Sequence, residues 1–533
     1  MPPWEPTTRW PGARRWARDA CSTPPAATPR SPSPKSYSSG TCSAASAGSS
    51  ASKPVRRNPS PFLPSEPPGL WASMPLDLFT APPLLSPLSS IAHRSSSQST
   101  PPHPMKNQNR RSFLKNAALG GLAFGFPTII PASALGKDGA VAPSNRVQLV
   151  GIGLKGMGGG NLRKLMDKQG VQVIALCDVD RRVLESASKT VVNKQKSAPK
   201  TYQDFREVLA KEKPDAMMHG LPDHWHGVIS CAFLRAGVDV YGEKPLAKTF
   251  AEGRAIVEAA RDNGRVWQTG MWQRSTQNFR RAIELVRNGT IGKIQKVEVG
   301  TGPNRHEMPA APAAGEKPPA EVDYDLWVGP SAEFAYDPRV FHFHWRWHTN
   351  FGGGQLLDWV CHHPDIALWA MGKDAEFPVA VEGTGTLREG PWDTHRDYDY
   401  TVTYADGLAV SISSSFMGIR FHGEKGEIYV NRGQQKCSVK GLWDKDLGPD
   451  AWRCPGTTDH HQEFVDCVRS RRRPIAHALA AHHTTAIGHL GNAAVFTGRK
   501  LKFDGAAGKF VNDTAATAML SRELRKPWSL EKV

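Results

Sequence analysis

Apolar and polar positions keep two different rhythms along this chain. Over residues 145–270, short apolar runs at 147–150, 171–176, 216–219, 238–241 and 266–269 alternate with helical periods at 161–168, 181–192, 205–209, 227–236 and 251–263. Strands that alternate with helices predict a parallel sheet covered on both faces, the α/β class. From residue 279 the rhythm changes. A helix at 279–288 stops at Gly289, a strand follows at 293–299, and period-two runs recur at 379–387, 398–404, 408–416 and 427–430. This pattern predicts a second, α+β domain over 271–533 with an open, mostly antiparallel sheet, closed by helices at 462–470 and 484–498. Residues 303–319 read as a Pro- and Ala-rich loop.

The first 104 residues follow neither rhythm. They hold 22 of the 43 prolines, too little apolar periodicity to offset the entropy of ordering, and read as a disordered extension. Asn109-Arg-Arg-Ser-Phe-Leu-Lys115, the apolar run 117–126 and Ala132-Ser-Ala134 read as a twin-arginine export signal over 105–134 with a small-residue cleavage site. A signal works at an N-terminus, so the expected start is Met105, with 1–104 an artefact of a misplaced start. The expected location is periplasmic, or otherwise exported through the twin-arginine machinery. The formal charge of +17 is concentrated early: residues 1–140 carry +10 of it. The remainder has no zinc-finger spacing or basic–aromatic ladder, which argues against a nucleic-acid partner. Six of the eight cysteines lie beyond the extension without a Cys-x-x-Cys framework. Buried free thiols are the expectation, with a bond among Cys437, Cys454 and Cys467 left open.

The chemistry starts at the first strand. Gly151-x-Gly153-x-x-Gly156, followed by Met157, a helix, a second strand and Asp178, is the layout a dinucleotide needs. Gly151 is expected to allow the tight turn, Gly153 the approach of the pyrophosphate, and Gly156 close packing of helix on strand. The diphosphate would then rest at the helix N-terminus. Asp178 would accept hydrogen bonds from the adenosine ribose and repel a 2′-phosphate, favouring NAD; Arg181 and Arg182 leave NADP open.

Ligands of such sheets sit beyond the carboxyl ends of the strands, where three segments stand out: Pro222-Asp-His-Trp-His226, Gly242-Glu-Lys-Pro-Leu246 and Gly270-Met-Trp-Gln-Arg274. Pro222 and His226 are candidates to line the cofactor crevice. Lys244 is a point charge able to stabilise a developing alkoxide, and Gln273 and Arg274 are candidates to hold substrate. Further on, Asp358 and His362 are four residues apart, so on a helical turn they share a face. Either the aspartate orients a histidine base, or it caps a helix beside a structural histidine. Trp345-Arg346-Trp347 could wall a sugar ring, or the tryptophans could serve a domain interface. His342, His344 and His348 raise the question of zinc, but no Cys or acidic partner completes a set, so no metal is expected. For His489 a structural role is favoured over one in a pocket.

Together the glycine triplet, Glu243-Lys244-Pro245 and Gly352-Gly-Gly…Asp358-x-x-x-His362-x-x-Asp365 resemble the glucose–fructose oxidoreductase / inositol dehydrogenase / MocA family, over residues 146–530. The ending Lys526-Pro-Trp-Ser-Leu530 is similar to that family's exported bacterial branch. The resemblance implies a Rossmann domain over 145–270 with substrate held between it and the second domain. It makes Lys244 the active-site lysine, His362 the acid/base and Asp358 its supporting aspartate, with Glu243 near the nicotinamide ribose. The expected function is an NAD(P)-dependent oxidoreductase acting on a sugar, polyol or glycoside, and a homo-oligomer built through the C-terminal sheet. The alternatives are a glycosidase or lyase that oxidises its substrate only transiently, and a carbohydrate-binding homologue without turnover.

Overall fold

The computed structural model describes residues 145–531. The expected extension over 1–104 and the export signal over 105–134 lie outside those residues. The first sheet contains β1 (Val147–Ile152), β2 (Val171–Cys177), β3 (Lys200–Tyr202), β4 (Ala216–His219), β5 (Asp239–Gly242) and β6 (Trp267–Thr269), all parallel, in the order β3-β2-β1-β4-β5-β6. This is the doubly wound order, and the reversal between β1 and β4 opens a crevice at their carboxyl ends.

Alternation along each strand feeds two cores. Val147 and Leu149 point into a cluster with Leu162, Leu165 and Leu184 from α1 (Met157–Met166) and α2 (Arg181–Gln195). Val150 and Ile152 join the opposite cluster with Phe205, Val228 and Ile256, from α3 (Phe205–Lys211), α4 (Asp223–Arg235) and α5 (Phe250–Asp262). The first cluster also takes Phe464, Val465 and Cys467 from a helix near the other end of the chain, His460–Ser470. The second half therefore returns to cover part of the Rossmann sheet, which local periodicity could not reveal.

After α6 (Gln277–Arg287), β7 (Ile294–Thr301) enters a nine-stranded sheet. Its other members are β8 (Ala380–Leu387), β9 (His395–Thr403), β10 (Ala409–Ser413), β11 (Met417–Gly423), β12 (Gly426–Asn431), β13 (Gln434–Cys437), β14 (Leu501–Asp504) and β15 (Lys509–Phe510). Pairing is antiparallel except between β7 and β10. Between β7 and β8 the chain forms the short α7 (Tyr324–Val328), then α8 (Gly354–Val360) and α9 (His363–Met371), which carry the second half of the site. Cys177, Cys231, Cys361, Cys437, Cys454 and Cys467 are free, so the bond left open among the last three is not formed.

Candidate active site

The cofactor end begins where β1 stops. Gly153 adopts φ 70° and donates its N–H to the Cys177 carbonyl at 3.0 Å. The tight turn therefore falls on Gly153, whereas Gly151 is ordinary strand whose added Cβ would meet Leu154, Leu162 and Leu176 at 3.1–3.3 Å. Gly156 serves by conformation, at φ 60°, and not by packing, since a Cβ there would meet nothing within 4 Å. Close approach of helix to strand belongs to Gly158: its Cβ would lie 1.8 Å from the Gly153 oxygen, and one on Gly220 would lie 2.4 Å from the Gly158 Cα. The triplet was legible, but two of its three expected roles move by a residue or two.

A cavity of about 500 Å³ opens at this turn. Asp178, beyond β2, lines it at one end, Gly153, Gly156 and Met157, beyond β1, and Pro222, beyond β4, come between, and Glu243 and Lys244, beyond β5, stand at the far end with Trp345 and Arg346. Met157 is 49% exposed. Asp178 faces the cavity while accepting from the amides of Leu154 (2.7 Å) and Asp180 (3.0 Å). Burial pushes its carboxyl up to about 6 against the pull of those two amides. Of the cations that left NADP open, Arg182 donates to Asp180 and Arg181 to the Ala320 carbonyl. Both are committed, while Asp178 stands at the wall. This donor set fits a diphosphate at the N-terminus of α1 and an unphosphorylated ribose at Asp178, the requirements of NAD.

At the far end, Glu243 is buried and accepts from the Asn161 amide at 2.7 Å; Asn161 in turn pairs with His461 at 3.0 Å. Burial raises the Glu243 carboxyl, with the charge of Lys244 opposing. Lys244 reaches across to α8 and donates to the Asp358 carboxylate at 2.8 Å and its carbonyl at 3.1 Å. Arg346 donates to the same carboxylate oxygen at 3.3 Å, its guanidinium lying 4.4 Å from the Trp345 ring centre. Burial alone would raise the Asp358 carboxyl; Lys244 and Arg346 outweigh it and hold the group well below the usual carboxylate range.

Asp358 and His362 do not share a helical face. α8 ends at Val360 and α9 begins at His363, so His362 falls in the break as the N-cap of the second helix. Asp358 is hydrogen-bonded to Lys244 and Arg346, so the shared helical face expected for Asp358 and His362 is not formed, although the carboxylate still acts on the imidazole through its charge. His362 lies instead among rings, 5.2 Å from Trp359 and 6.3 Å from Trp272 between centres, with its Nδ1 buried and unpartnered. Burial and the charge of Lys244 hold its imidazole well below the ordinary value, so it is neutral near pH 7. His363 is fully buried and bonded to the Gly300 carbonyl at 2.7 Å.

Several expected site residues are structural. Arg274, 1% exposed, forms a two-pronged pair with Asp365 at 2.8 and 2.6 Å and also meets Asp374 and the Ile475 carbonyl. It does not line the cavity. His226 is enclosed, with its ring nitrogens on the carbonyls of Pro245 and Leu221 at 2.7 and 3.0 Å. Trp347 packs on Trp392 and is absent from the cavity wall, which leaves Trp345 and Arg346 as the members of that trio that face it. Gln273 is buried beneath the site with neither amide atom partnered. Among the described residues no group of His, Cys, Asp and Glu is arranged to hold a metal ion.

Two ionisable residues went unremarked in the sequence. Asp223, within Pro222-Asp-His-Trp-His226, is buried with Oδ1 unpartnered, and burial, aided by the charge of Asp358, pushes its carboxyl up to about 8. Lys248 donates to the Gly352 carbonyl at 3.2 Å, and burial pushes its ammonium down to about 8. The signal was present, since both lie inside or just after strand-end motifs. Histidines drew attention because they titrate near neutrality unaided; an aspartate does so only once buried.

The similarities to known proteins agree with this geometry. Residues 146–271 match the oxidoreductase family, NAD-binding Rossmann fold, and residues 279–530 the oxidoreductase family, C-terminal alpha/beta domain. A glycosyl hydrolase family 109 protein of Shewanella sp. (strain MR-4) is 26% identical over 214 residues, 36% of this chain and 45% of its own length. An alpha-N-acetylgalactosaminidase of Shewanella oneidensis is 26% identical over 212 residues, with the same coverage. The chain thus spans less than half the length of these curated relatives. Among solved structures, GenD2 from gentamicin A biosynthesis in complex with NAD aligns with TM-score 0.51 at 18% identity, over 68% of this chain and 97% of that one. The aldose-aldose oxidoreductase of Caulobacter crescentus aligns with TM-score 0.51 at 18% identity, over 67% and 100%. At such identity the likeness is one of fold. Matched in both domains, and with a cavity suited to the dinucleotide, the chain belongs to the Gfo/Idh/MocA oxidoreductase family, and its first domain is that family's NAD-binding domain.

Proposed function

We propose that this protein is an NAD-dependent oxidoreductase acting on a CH–OH group of a sugar, polyol or related glycoside. The observation that carries the reading is Lys244, which lines the far end of the dinucleotide cavity while ion-paired to Asp358, with His362 close by. When bound, the cofactor supplies a hydride acceptor or donor; Gly153, Gly156, Met157, Asp178, Pro222 and Glu243 are the residues that would hold it. An ammonium has three donors. Asp358 takes two of Lys244's, and the third is left for a substrate oxygen, where it stabilises developing negative charge. His362, neutral because it is buried, takes the hydroxyl proton, and returns it in the reverse direction. Asp358 acts through Lys244, holding the ammonium in place by two hydrogen bonds. Trp345 and Arg346 bound the space in which the ring would lie. The direct test is mass spectrometry of cofactor released from purified protein, then a carbohydrate panel read by the absorbance of reduced nicotinamide. Release of NAD with at least one oxidised sugar is expected; a protein that takes up neither NAD nor NADP contradicts the reading.

A redox-neutral route, in which the carbohydrate is oxidised only transiently before elimination or hydrolysis, is favoured by the relatives named as family 109 glycosyl hydrolases and an alpha-N-acetylgalactosaminidase. Glycoside cleavage by protein that carries its own cofactor, with none added, would select it. A binding homologue without turnover would give neither reaction. The twin-arginine segment supports export of this chain: replacing Arg110 and Arg111 with Lys is expected to hold the precursor in the cytoplasm. We also propose a homo-oligomer through the C-terminal sheet, testable by sizing in solution.

A further inference from the structure

The two-residue turn between β12 and β13 is Arg432-Gly433, with Gly433 at φ 70°. The turn is anchored, since Asn278 of α6 donates to the Asn431 carbonyl at 2.6 Å and the Arg432 amide donates to the Asn431 side chain at 2.7 Å. The Arg432 guanidinium lies between two indoles, 4.9 Å from the ring centre of Trp272 and 4.9 Å from that of Trp359. These are the same rings that flank His362, so each indole stands between the guanidinium and the imidazole.

What distinguishes Arg432 is its unused donors. Other arginines that lie over rings are also committed elsewhere: Arg346 to Asp358, Arg274 to Asp365, Arg206 to Asp204, Arg287 to the Trp369 carbonyl and Arg388 to the His306 carbonyl. The Arg432 side chain has neither a hydrogen bond nor an ion pair with any described residue. A guanidinium presents five N–H donors in a planar fork. Two aromatic faces hold that plane by cation–π attraction, and the rest of this exposed side chain meets solvent. The surrounding charge points the same way. Lys244 and Arg346 share one carboxylate, Asp358, and Lys248 and Arg432 add two further cations, against the buried carboxyls of Glu243 and Asp223, both raised by burial. The cations at the reacting end thus outnumber the acids by four to three.

We propose that Arg432 is a specificity-determining residue, whose guanidinium receives an anionic substituent (a carboxylate or a phosphate ester) on the sugar whose hydroxyl lies at Lys244 and His362. The proposal rests on the carbohydrate reading of the site, and it deepens that reading by assigning the substrate class: an acidic sugar in preference to a neutral one.

The test is equilibrium binding to cofactor-loaded protein, followed by tryptophan fluorescence with D-glucuronate, D-glucose 6-phosphate and D-glucose as probes. At least one anion is expected to bind about tenfold or more tightly than glucose, the scale of one charge-assisted forked contact. Which anion wins separates the carboxylate from the phosphate source. Arg432→Gln should erase that advantage while leaving glucose affinity within about twofold, and Arg432→Lys should keep part of it. The proposal is overturned if glucose binds as tightly as both anions, if no probe binds, or if Arg432→Gln leaves the advantage intact or weakens all three alike. Because the readout is binding, the two readings fail separately. An Arg432-dependent anion preference without any nicotinamide reduction would sink the oxidoreductase reading alone. Oxidation of sugars without charge preference would sink only the subsite.

Discussion

The cofactor end and the reacting end of this cavity are built on opposite plans. At the cofactor end, one stretch from Val147 to Asp178 supplies the strand, the turn, the helix N-terminus and the ribose-facing acid, and backbone conformation does most of the work. At the reacting end, Lys244 and Asp358 stand 114 residues apart in sequence and meet only because the Lys244 side chain, beyond β5, reaches α8 of the second domain. The first plan depends on glycines, of which Gly158 and Gly220 leave no room for a side chain. The second depends on charges that must find one another. Another long-range pair, Arg274–Asp365, is 1% and 0% exposed, against 12% and 15% for Lys244–Asp358. Sealed from solvent, Arg274–Asp365 fastens the segment after β6 to α9, whereas Lys244–Asp358 keeps a donor open to the cavity.

The largest effect should come from breaking the sealed pair. Arg274→Ala leaves Asp365 buried without its partner and is expected to cost about 3–5 kcal/mol of stability, seen as a fall in denaturation midpoint without a selective loss of kcat per folded molecule. Lys244→Ala should do the reverse, because Asp358 retains Arg346. Turnover should fall by at least about a hundredfold, the scale of a positioned charge-stabilising group, with melting temperature and NAD affinity little changed. His362→Ala should match it in kcat. His363→Ala, which loses a buried bond to Gly300, should lower stability more than turnover.

The cofactor end can be broken more gently. Gly158→Ala places a methyl against the Gly153 carbonyl and should weaken NAD about tenfold or more, on the scale of overpacking. Gly156→Ala meets no atom and should cost only the strain of its backbone, φ 60° with ψ −119°, about 1–3 kcal/mol. Calorimetric titration of both variants separates packing from conformation. Smallest is a pH effect. Asp178 titrates near 6, and a ribose hydroxyl donates best to its ionised form. NAD affinity should therefore be flat above pH 7 and fall as pH drops through about 6, by up to about tenfold per unit, and Asp178→Asn should flatten the curve. An unchanged slope in that variant would assign the titration to another group.

The same contrast explains what could be read from the chain. The Rossmann half was legible because strand, glycines and acid are neighbours in sequence and obey local sterics. The second sheet showed itself by period two. The Asp358–His362 pairing failed because a four-residue spacing predicts a shared face only if the helix continues, and Cys361 ends it. Arg274 was misread because the chemistry that makes an arginine a good ligand clamp also makes it a good partner for a buried aspartate 91 residues away. Asp223 lies in a strand-end motif but takes its character from burial, and Arg432 carries no motif: two indoles from distant segments give it its place.

The central claim is that hydride transfer takes place beside Lys244 and His362, at the far end of the NAD cavity. A sugar oxidised by the wild-type protein and deuterated at the reacting carbon tests it most directly, with the nicotinamide recovered after a single turnover. Deuterium on the nicotinamide of wild-type and His363→Ala protein, and at least about a hundredfold slower transfer in Lys244→Ala and His362→Ala, is the predicted result. Deuterium transfer at the wild-type rate in both Lys244→Ala and His362→Ala would contradict it.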